Sequence, residues 1–585
     1  MVSISSASNT ILSSIFNQVN LKMKIRNYNI YFNTHTISGI IICALLYVIF
    51  FAGSFSFFKK EISAWQNNIS FYNQKVEAQQ YSGFLDSVSN GYNLQGRDII
   101  FYLQQNGAKG YVNFSASKDT IINKENLAAQ AKKPEGASKG KGRRGRGGDG
   151  DSKYLNHDFI HNKTGDYSAN YDMGEFLYRL HFLAQLNEVP IRVGIAPFGY
   201  LIAGITSFLF LFALITGLLL HWDKVVSNFF VFRPFNKWKT VWTDMHTALG
   251  VIGFPYQFMF AVTGVVLIIN TVLITPFANV LYEEKTDKLY EDLETIHTYP
   301  LEYSYKKLEK EFRLSDYLEK AKKKWPLSEY KRISIKNFGD ENMYLVIEVE
   351  PHYNRSFAGS GILAIQVLNN KVLEEKSPYT DVNYINRVRS LIYRLHFGDF
   401  GGYPVKAVYF ILGVLGCLVI VSGILIWLVA RDKNNVIPRK RKFNFWTANV
   451  FLSICLSMLP VTAFTFIAIK IASPVTQEFI YAFYFRSWLI ISLYYIIRRN
   501  LNRTNRETLF LGAVAAILVP IVNGIKTGCW FWDNFISGKM DLFIVDFLWL
   551  LLGIVSLSVF MYLLSSKRVG DVSHPVQYNL SRKAK

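Results

Sequence analysis

Acidic residues are scarce in this 585-residue chain: 43 Asp and Glu stand against 64 Lys and Arg, a formal net charge of +21. Cysteine is scarcer still. Cys43, Cys417, Cys455 and Cys529 are scattered. None forms a Cys-x-x-Cys pair and none precedes a histidine, so neither a redox dithiol nor covalent haem attachment is encoded. Three of the four fall in apolar runs, where a thiol behaves as a small packing residue. No Gly-x-Gly-x-x-Gly joins a strand to a helix, which leaves no evident nicotinamide or flavin domain. The first 20 residues are Ser/Asn-rich and lack the charged start and apolar core of a cleaved signal.

What the chain has in abundance is apolar surface, with 50% hydrophobic and 16% aromatic residues. These concentrate in eight runs, near 36–58, 199–221, 246–274, 404–429, 446–471, 478–497, 508–525 and 542–564. About 20 residues of helix cross a bilayer, and lipid leaves no open backbone group unsatisfied. The expected fold is therefore an all-α integral membrane protein. The excess positive charge sits between these runs. Lys22, Lys24 and Arg26 precede the first; Lys224, Arg233, Lys237 and Lys239 follow the second. Arg431, Lys433 and Arg439–Lys442 follow the fourth, Arg498, Arg499, Arg503 and Arg506 the sixth, and Lys567 and Arg568 the eighth. Eight crossings with both termini cytoplasmic put every cluster on the inner side, as the positive-inside rule asks. That placement argues against nucleic acid as a partner and for the lipid bilayer.

The expected organisation is a cytoplasmic segment 1–34, a first span 35–58, a second 199–222, a third 242–275 and a fourth 404–430. A four-span region 443–566 and a cytoplasmic tail 567–585 complete it. Two large loops, 59–198 and 276–403, then face outward. The first contains "AKKPEGASKGKGRRGRGGDGDSK" (131–153), too polar and Gly-rich to fold, and predicted as disordered. Around it, "DIIFYLQQN", "GYVNF" and "LNHDFIHNKTGDY" read as strands. The second loop reads as a helix, "LSDYLEKAKKKW", followed by strands "YKRISIKNF", "NMYLVIEVEP" and "GILAIQVLNNKVLEE". Each loop is expected to form its own small extracytoplasmic α+β domain, being too long for a plain connector.

Tyr-Arg-Leu-His-Phe occurs twice, ending in His181-Phe182 and His396-Phe397. The repeat extends further. The first span begins "THTISG" and the third "MHTALG", while "ITGLLLHW" and "VSGILIWL" align Gly217 with Gly423. Span, outer segment, Tyr-Arg-Leu-His-Phe and span thus recur in order, implying a duplicated four-helix core with four extra C-terminal spans. The duplication matches His35 with His246 near the inner face and His181 with His396 near the outer face. Neutral imidazole is a common iron ligand, and two imidazoles on neighbouring helices can take both axial positions of one haem. The plain alternative is interfacial histidines that hydrogen-bond headgroups or cap helices. His221 has no repeat partner, since Trp427 takes that place; it is a spare ligand, an alternative inner ligand or a polar anchor. Zinc is disfavoured because no carboxylate or thiolate recurs beside the pairs. His157, His161, His297, His352 and His574 are expected to be solvated. Arg486 stands about 18 Å up its helix from Arg498, with Asp546 and Glu478 as candidate ion-pair partners. Lys470 and Lys526 are expected to snorkel.

The His-Thr-x-x-Gly span starts, the Leu-His-Phe-Gly-x-Phe-Gly-Gly segment at Leu395–Gly402 and the Ser/Thr-Gly-x-Leu/Ile span ends resemble the PepSY-associated transmembrane family over about residues 28–430. "HNKTGDY" and "GILAIQVLNNKVLEE" are similar to the strand–turn ends of PepSY-type domains. Phe182-Leu183-Ala184 departs from the family's small residues after the first histidine, and the Arg/Gly-rich insertion is unusual. The resemblance implies a bacterial cytoplasmic-membrane protein holding one or two bis-histidine b-type haems, with His35, His246, His181 and His396 as axial ligands. It also implies electron delivery to a ferric siderophore, or another ferric chelate, on the periplasmic side during iron uptake. With no nucleotide domain, electrons come from a membrane quinol or a separate reductase. Two other readings stand beside this ferric-reductase reading: a non-enzymatic PepSY-type sensor or assembly factor binding a peptide or protein, and an iron or siderophore transporter. The first four spans show few of a transporter's broken helices or mid-membrane polar residues.

Overall fold

The computed structural model describes residues 25–104, 107–131, 152–165, 170–189, 191–193, 196–283, 286–293, 296–432 and 435–565. The N-terminal segment before Ile25, nearly all of the stretch 131–153, and the tail with Lys567, Arg568 and His574 lie outside the described residues.

In chain order the elements are α1 (Ile25–Ser56), α2 (Lys59–Asn67), α3 (Ala78–Ser89), β1 (Ile99–Gln104), β2 (Lys109–Phe114) and α4 (Thr120–Ala131). Next come β3 (Lys153–Asp158), β4 (Lys163–Gly165), α5 (Met173–His181), the small β5–β6 hairpin (Arg192–Val193, Ala196–Pro197) and α6 (Phe198–Leu220). The second half follows with α7 (Val225–Phe230), α8 (Trp238–Leu281), α9 (Thr286–Asp292), α10 (Leu314–Lys324), β7 (Ser328–Lys336), β8 (Tyr344–Pro351), β9 (Gly361–Gln366), β10 (Val372–Lys376), α11 (Tyr384–Phe397) and α12 (Gly402–Arg431). The chain closes with α13 (Pro438–Leu456), α14 (Met458–Ile471), α15 (Gln477–Arg498), α16 (Leu501–Thr527), α17 (Phe531–Ile536) and α18 (Met540–Ser565).

Eight helical segments among the described residues are long and apolar enough to cross a bilayer, so this is a multi-pass membrane protein. They are α1, α6, α8, α12, the continuous pair α13–α14, α15, α16 and α18. Helices begin before the apolar runs do: α1 starts ten residues ahead of His35 and α8 eight ahead of His246, so both histidines lie inside helices. An apolar run marks lipid contact or core, whereas a helix continues into the polar boundary as long as nothing breaks it.

α1 is the centre of the bundle. Every residue from Leu46 to Phe55 is buried. A helix apolar on all sides is one surrounded on all sides. It packs on α6, α6 on α8, α8 on α12, and α12 returns to α1, closing a ring of four. The later spans join through α13, which touches both α1 and α12, and through α18 against α2. One apolar core runs through both groups, from Ile42 and Phe50 to Phe466, Tyr484 and Trp549.

The two outer segments do not form two separate domains; this corrects the expectation from sequence. Their strands make one eight-stranded sheet in the order β10-β9-β8-β7-β1-β2-β3-β4. β1 and β7 meet antiparallel at the centre, pairing Ile99 with Ile335 and Phe101 with Ile333. Each half supplies four strands and one covering helix, α3 or α10, which pack against each other. Alone, either half would leave an open edge and a thin apolar face. Joined, Ile99, Phe101, Ile333 and Ile335 are fully buried at the seam, in one core with Phe84, Val112, Leu318 and Leu345.

Three further expectations are corrected. His157 is not solvated: it is buried between Phe84 (4.2 Å between ring centres) and Phe159 (4.8 Å), with Nδ1 2.7 Å from Thr164 Oγ1. Arg486 is exposed on the side of α15 and makes no ion pair among the described residues, because Asp546 points inward to other donors. Lys470 turns into the protein and donates to the Trp65 carbonyl oxygen.

Candidate functional site

Both Tyr-Arg-Leu-His-Phe segments fold as short helices ahead of a span. Asp172 starts α5 by accepting from the Glu175 N–H at 2.8 Å, and Asn383 starts α11 by accepting from the Asn386 N–H at 2.8 Å. These caps fix where each helix begins, and so where its last turn presents a histidine. His181 and His396 then face each other with ring centres 5.9 Å apart. At the other end of the ring of four, His35 of α1 faces His246 of α8 at 6.1 Å.

The same device seats each ring. Nδ1 of His35 lies 2.8 Å from the Ala213 carbonyl oxygen on α6, and Nδ1 of His246 lies 2.9 Å from that of Val419 on α12. Nδ1 of His181 lies 2.8 Å from the Ile49 carbonyl oxygen on α1. A carbonyl only accepts, so Nδ1 carries the proton in all three. Nδ1 of His396 lies 2.8 Å from Thr263 Oγ1, a hydroxyl already donating to the Met259 carbonyl oxygen; it too receives a proton from the ring. All four Nε2 atoms therefore keep a free lone pair, the tautomer that ligates metal.

Glycines let the rings approach the neighbouring helix. A methyl group at Gly217 would lie 3.0 Å from Cε1 of His35, and one at Gly423 3.1 Å from Cε1 of His246. At Gly53 it would lie 2.6 Å from Nδ1 of His181. Gly264 holds the matching position before His396 but is looser, at 3.9 Å from Cε1. Burial, with His181 alongside, holds His396 far below its usual range, at about 3, and burial lowers His181 as well. Burial thus favours the neutral form of both rings.

Two metal–nitrogen bonds of about 2 Å on opposite sides of one ion, plus about 1.1 Å from each nitrogen to its ring centre, set ring centres roughly 6 Å apart. The spacings of 5.9 and 6.1 Å match that sum. Within each pair the ring planes stand at 39° (His181 and His396) and 69° (His35 and His246) to one another. Along α1, His35 and the carbonyl that receives His181 are 14 residues apart, about 21 Å; along α8, His246 and Thr263 are 17 apart, about 25 Å. The pairs therefore stand near opposite ends of the spans.

His221 closes α6, its N–H bonded to the Gly217 carbonyl. It lies near enough to interact electrostatically with His35 and His246, but makes no ring contact with either among the described residues. It is beside the pair rather than in it. Beside the other pair, a cavity of about 2010 Å³ opens between sheet and bundle, lined by Tyr178, Arg394, Phe397, Lys59, Lys60 and Lys406 among others. Tyr178 lies one turn before His181, and Phe397 follows His396. Sequence reasoning missed the Nδ1 acceptors and Gly53/Gly264. The acceptors are mostly backbone carbonyls and carry no side-chain signal; the glycines were readable, being the same 18 residues after His35 and His246.

A family model described as the PepSY-associated TM region matches residues 32–430. No curated protein matches the chain.

Proposed function

Because the chain belongs to the family of the PepSY-associated TM region, and its spans and the short helices ahead of them carry two histidine pairs, we propose that it is a membrane electron-transfer protein that binds haem b at each pair and reduces ferric chelates. The observation that carries this reading is the tautomer. Four imidazoles, each with Nδ1 engaged by an acceptor and Nε2 left with its lone pair, stand in two pairs with ring centres 5.9 and 6.1 Å apart. His35 and His246, and His181 and His396, are the residues that would hold haem b, which when bound would supply a one-electron carrier.

The chain's own contribution is rigidity and exclusion. The Nδ1 bonds fix ring orientation and strengthen the ligands as donors, while the glycines hold ring and helix in contact. The reaction is a one-electron reduction: the ferric ion of the chelate becomes ferrous, and the donor is oxidised. A quinol gives two electrons and two protons, so one quinol serves two chelates; a separate reductase is the other donor class. The sheet faces outward in this reading. In support of it, the clusters Lys224–Lys239, Arg431–Lys442 and Arg498–Arg506 follow span ends that the positive-inside rule would assign to the inner side. The cavity beside His181 and His396 gives a chelate of siderophore size room to approach that pair.

The test is a stopped-flow reoxidation. Protein reduced with dithionite, freed of excess reductant and mixed with a ferric siderophore, should reoxidise and release ferrous iron, trapped by a ferrous-specific chelator, one ion per electron. Protein that stays reduced, or reoxidises without ferrous iron appearing, would count against it.

A further inference from the structure

Asp546 is an acid inside a membrane span. It lies on α18 with 1% of its surface exposed. Its Oδ1 accepts from Trp65 Nε1 at 2.7 Å and its Oδ2 from Asn523 Nδ2 at 2.8 Å. It makes no ion pair among the described residues. The cation facing it, Lys470 of α14, is held aside, its Nζ bonded to the Trp65 carbonyl oxygen and 4.1 Å above the Trp65 ring centre. Other charged groups on the same elements are Asp541, five residues earlier on α18, and Lys526, three residues beyond Asn523 on α16. Asp541 is already bonded to Ser70 Oγ and the Phe71 N–H. Lys470, Lys526 and Asp541 all line the large cavity, and Asp546 lies about 7.5 Å further along α18 than Asp541.

Buried polar side chains also run along the neighbouring added spans, several of their hydroxyls bonded back to their own helix carbonyls. The span α13–α14 buries Asn449, Ser453, Ser457, Thr462 and Thr465 along one length of helix, about 24 Å from end to end. Ser457 meets Ser492 at 3.0 Å and Thr462 meets Tyr484 at 3.3 Å. Near the face opposite the sheet, Asn449 donates to the Ile496 carbonyl, close to where Thr504 and Thr508 are buried on α16. Among the described residues, three buried atoms in these spans have no hydrogen-bond partner: Asn449 Oδ1 and Ser453 Oγ on α13, and Asn523 Oδ1 on α16. Buried polar atoms without protein partners are the usual seats of internal water. Asn523 also suits a carboxyl that changes state. Its amide nitrogen serves the carboxylate, and after an amide flip its oxygen accepts from the protonated form.

We propose that the four added spans form a hydrated proton path, with Asp546 as its proton-carrying group and the cavity as its sheet-side mouth. Protons alone are moved, from water to the Asp546 carboxylate and on to water, so the path needs no other reactant. It also stands independently of any haem at the histidine pairs.

The experiment is proton flux into proteoliposomes carrying an internal pH dye, driven by a potassium diffusion potential. Wild-type protein should conduct protons above the rate of protein-free vesicles. Asp546→Asn should fall to that baseline, Asp546→Glu should keep flux, and Arg486→Gln, on the lipid-facing side of α15, should match wild type. If Asp546→Asn is not recovered folded, Ser453→Val decides, because it removes a buried hydroxyl of the proposed path without touching the carboxylate; it should also fall to baseline. Wild-type flux at the protein-free level, or undiminished flux in Asp546→Asn or Ser453→Val, overturns the proposal.

Discussion

Gly53 and Gly264 stand at matching places in the duplicated halves, yet alanine should affect them very differently. Both lie inside helices, where Gly→Ala alone gains about 1 kcal/mol. At Gly53 the new methyl would sit 2.6 Å from Nδ1 of His181, the atom bonded to the Ile49 carbonyl. The ring must move, at an overpacking cost of about 1–3 kcal/mol, and it loses a hydrogen bond of about 1 kcal/mol. At Gly264 the methyl meets only ordinary contacts, 3.4 Å from Ser207 Oγ and 3.9 Å from His396 Cε1. Comparing the two variants cancels the propensity gain and leaves a difference of about 2–4 kcal/mol, or roughly 30- to 700-fold in the population of the seated ring. The assay is haem content per chain after purification, with the thermal midpoint in detergent measured alongside. Gly53→Ala should lose the haem of the sheet-side pair, and Gly264→Ala should keep both with an equal or higher midpoint. Equal behaviour of the two variants would refute the packing argument.

Trp65→Phe removes the N–H given to Asp546 and should cost about 1.5–3 kcal/mol, read as a lower thermal midpoint; an unchanged midpoint contradicts the contact. Ile333→Pro, placed in a central strand, should split the sheet at the β1–β7 seam and speed hydrogen exchange in both halves, and exchange confined to one half would argue for two domains after all. His157 is held near 4, against 6.5 in the unfolded chain, by burial. The unfolded state therefore binds a proton that the folded state refuses, so sheet stability should be full above about 6.5 and fall as pH drops towards 4. His157→Gln should flatten that dependence, and a slope unchanged by the substitution would assign it elsewhere.

Spans and their number were legible because lipid imposes a long apolar signal on each crossing. The duplicated histidines were legible because their pattern is local: Tyr-Arg-Leu-His-Phe twice, His-Thr-x-x-Gly twice. The shared sheet was not. Ile99 and Ile335 are partners across more than 200 residues and two membrane crossings, and either half reads as complete strands by itself. His157 was misjudged for a related reason, since Phe84 and Phe159 enclose it only once α3 has folded over the sheet. The carbonyls of Ala213, Val419 and Ile49 fix the tautomer of three of the paired histidines, yet any residue type there offers the same oxygen. Asp546 entered the sequence reading only as a candidate partner for Arg486, because its actual partners Trp65 and Asn523 are neutral and leave no charge pattern to find.

The central claim is tested most directly by counting haem in purified protein and in its ligand variants. Wild type should carry two b-type haems per chain with low-spin, bis-imidazole spectra in the oxidised state. His181→Ala and His35→Ala should each remove one and leave the other's signal intact. Protein made with ample haem that binds none, or a spectrum unchanged by both substitutions, contradicts it.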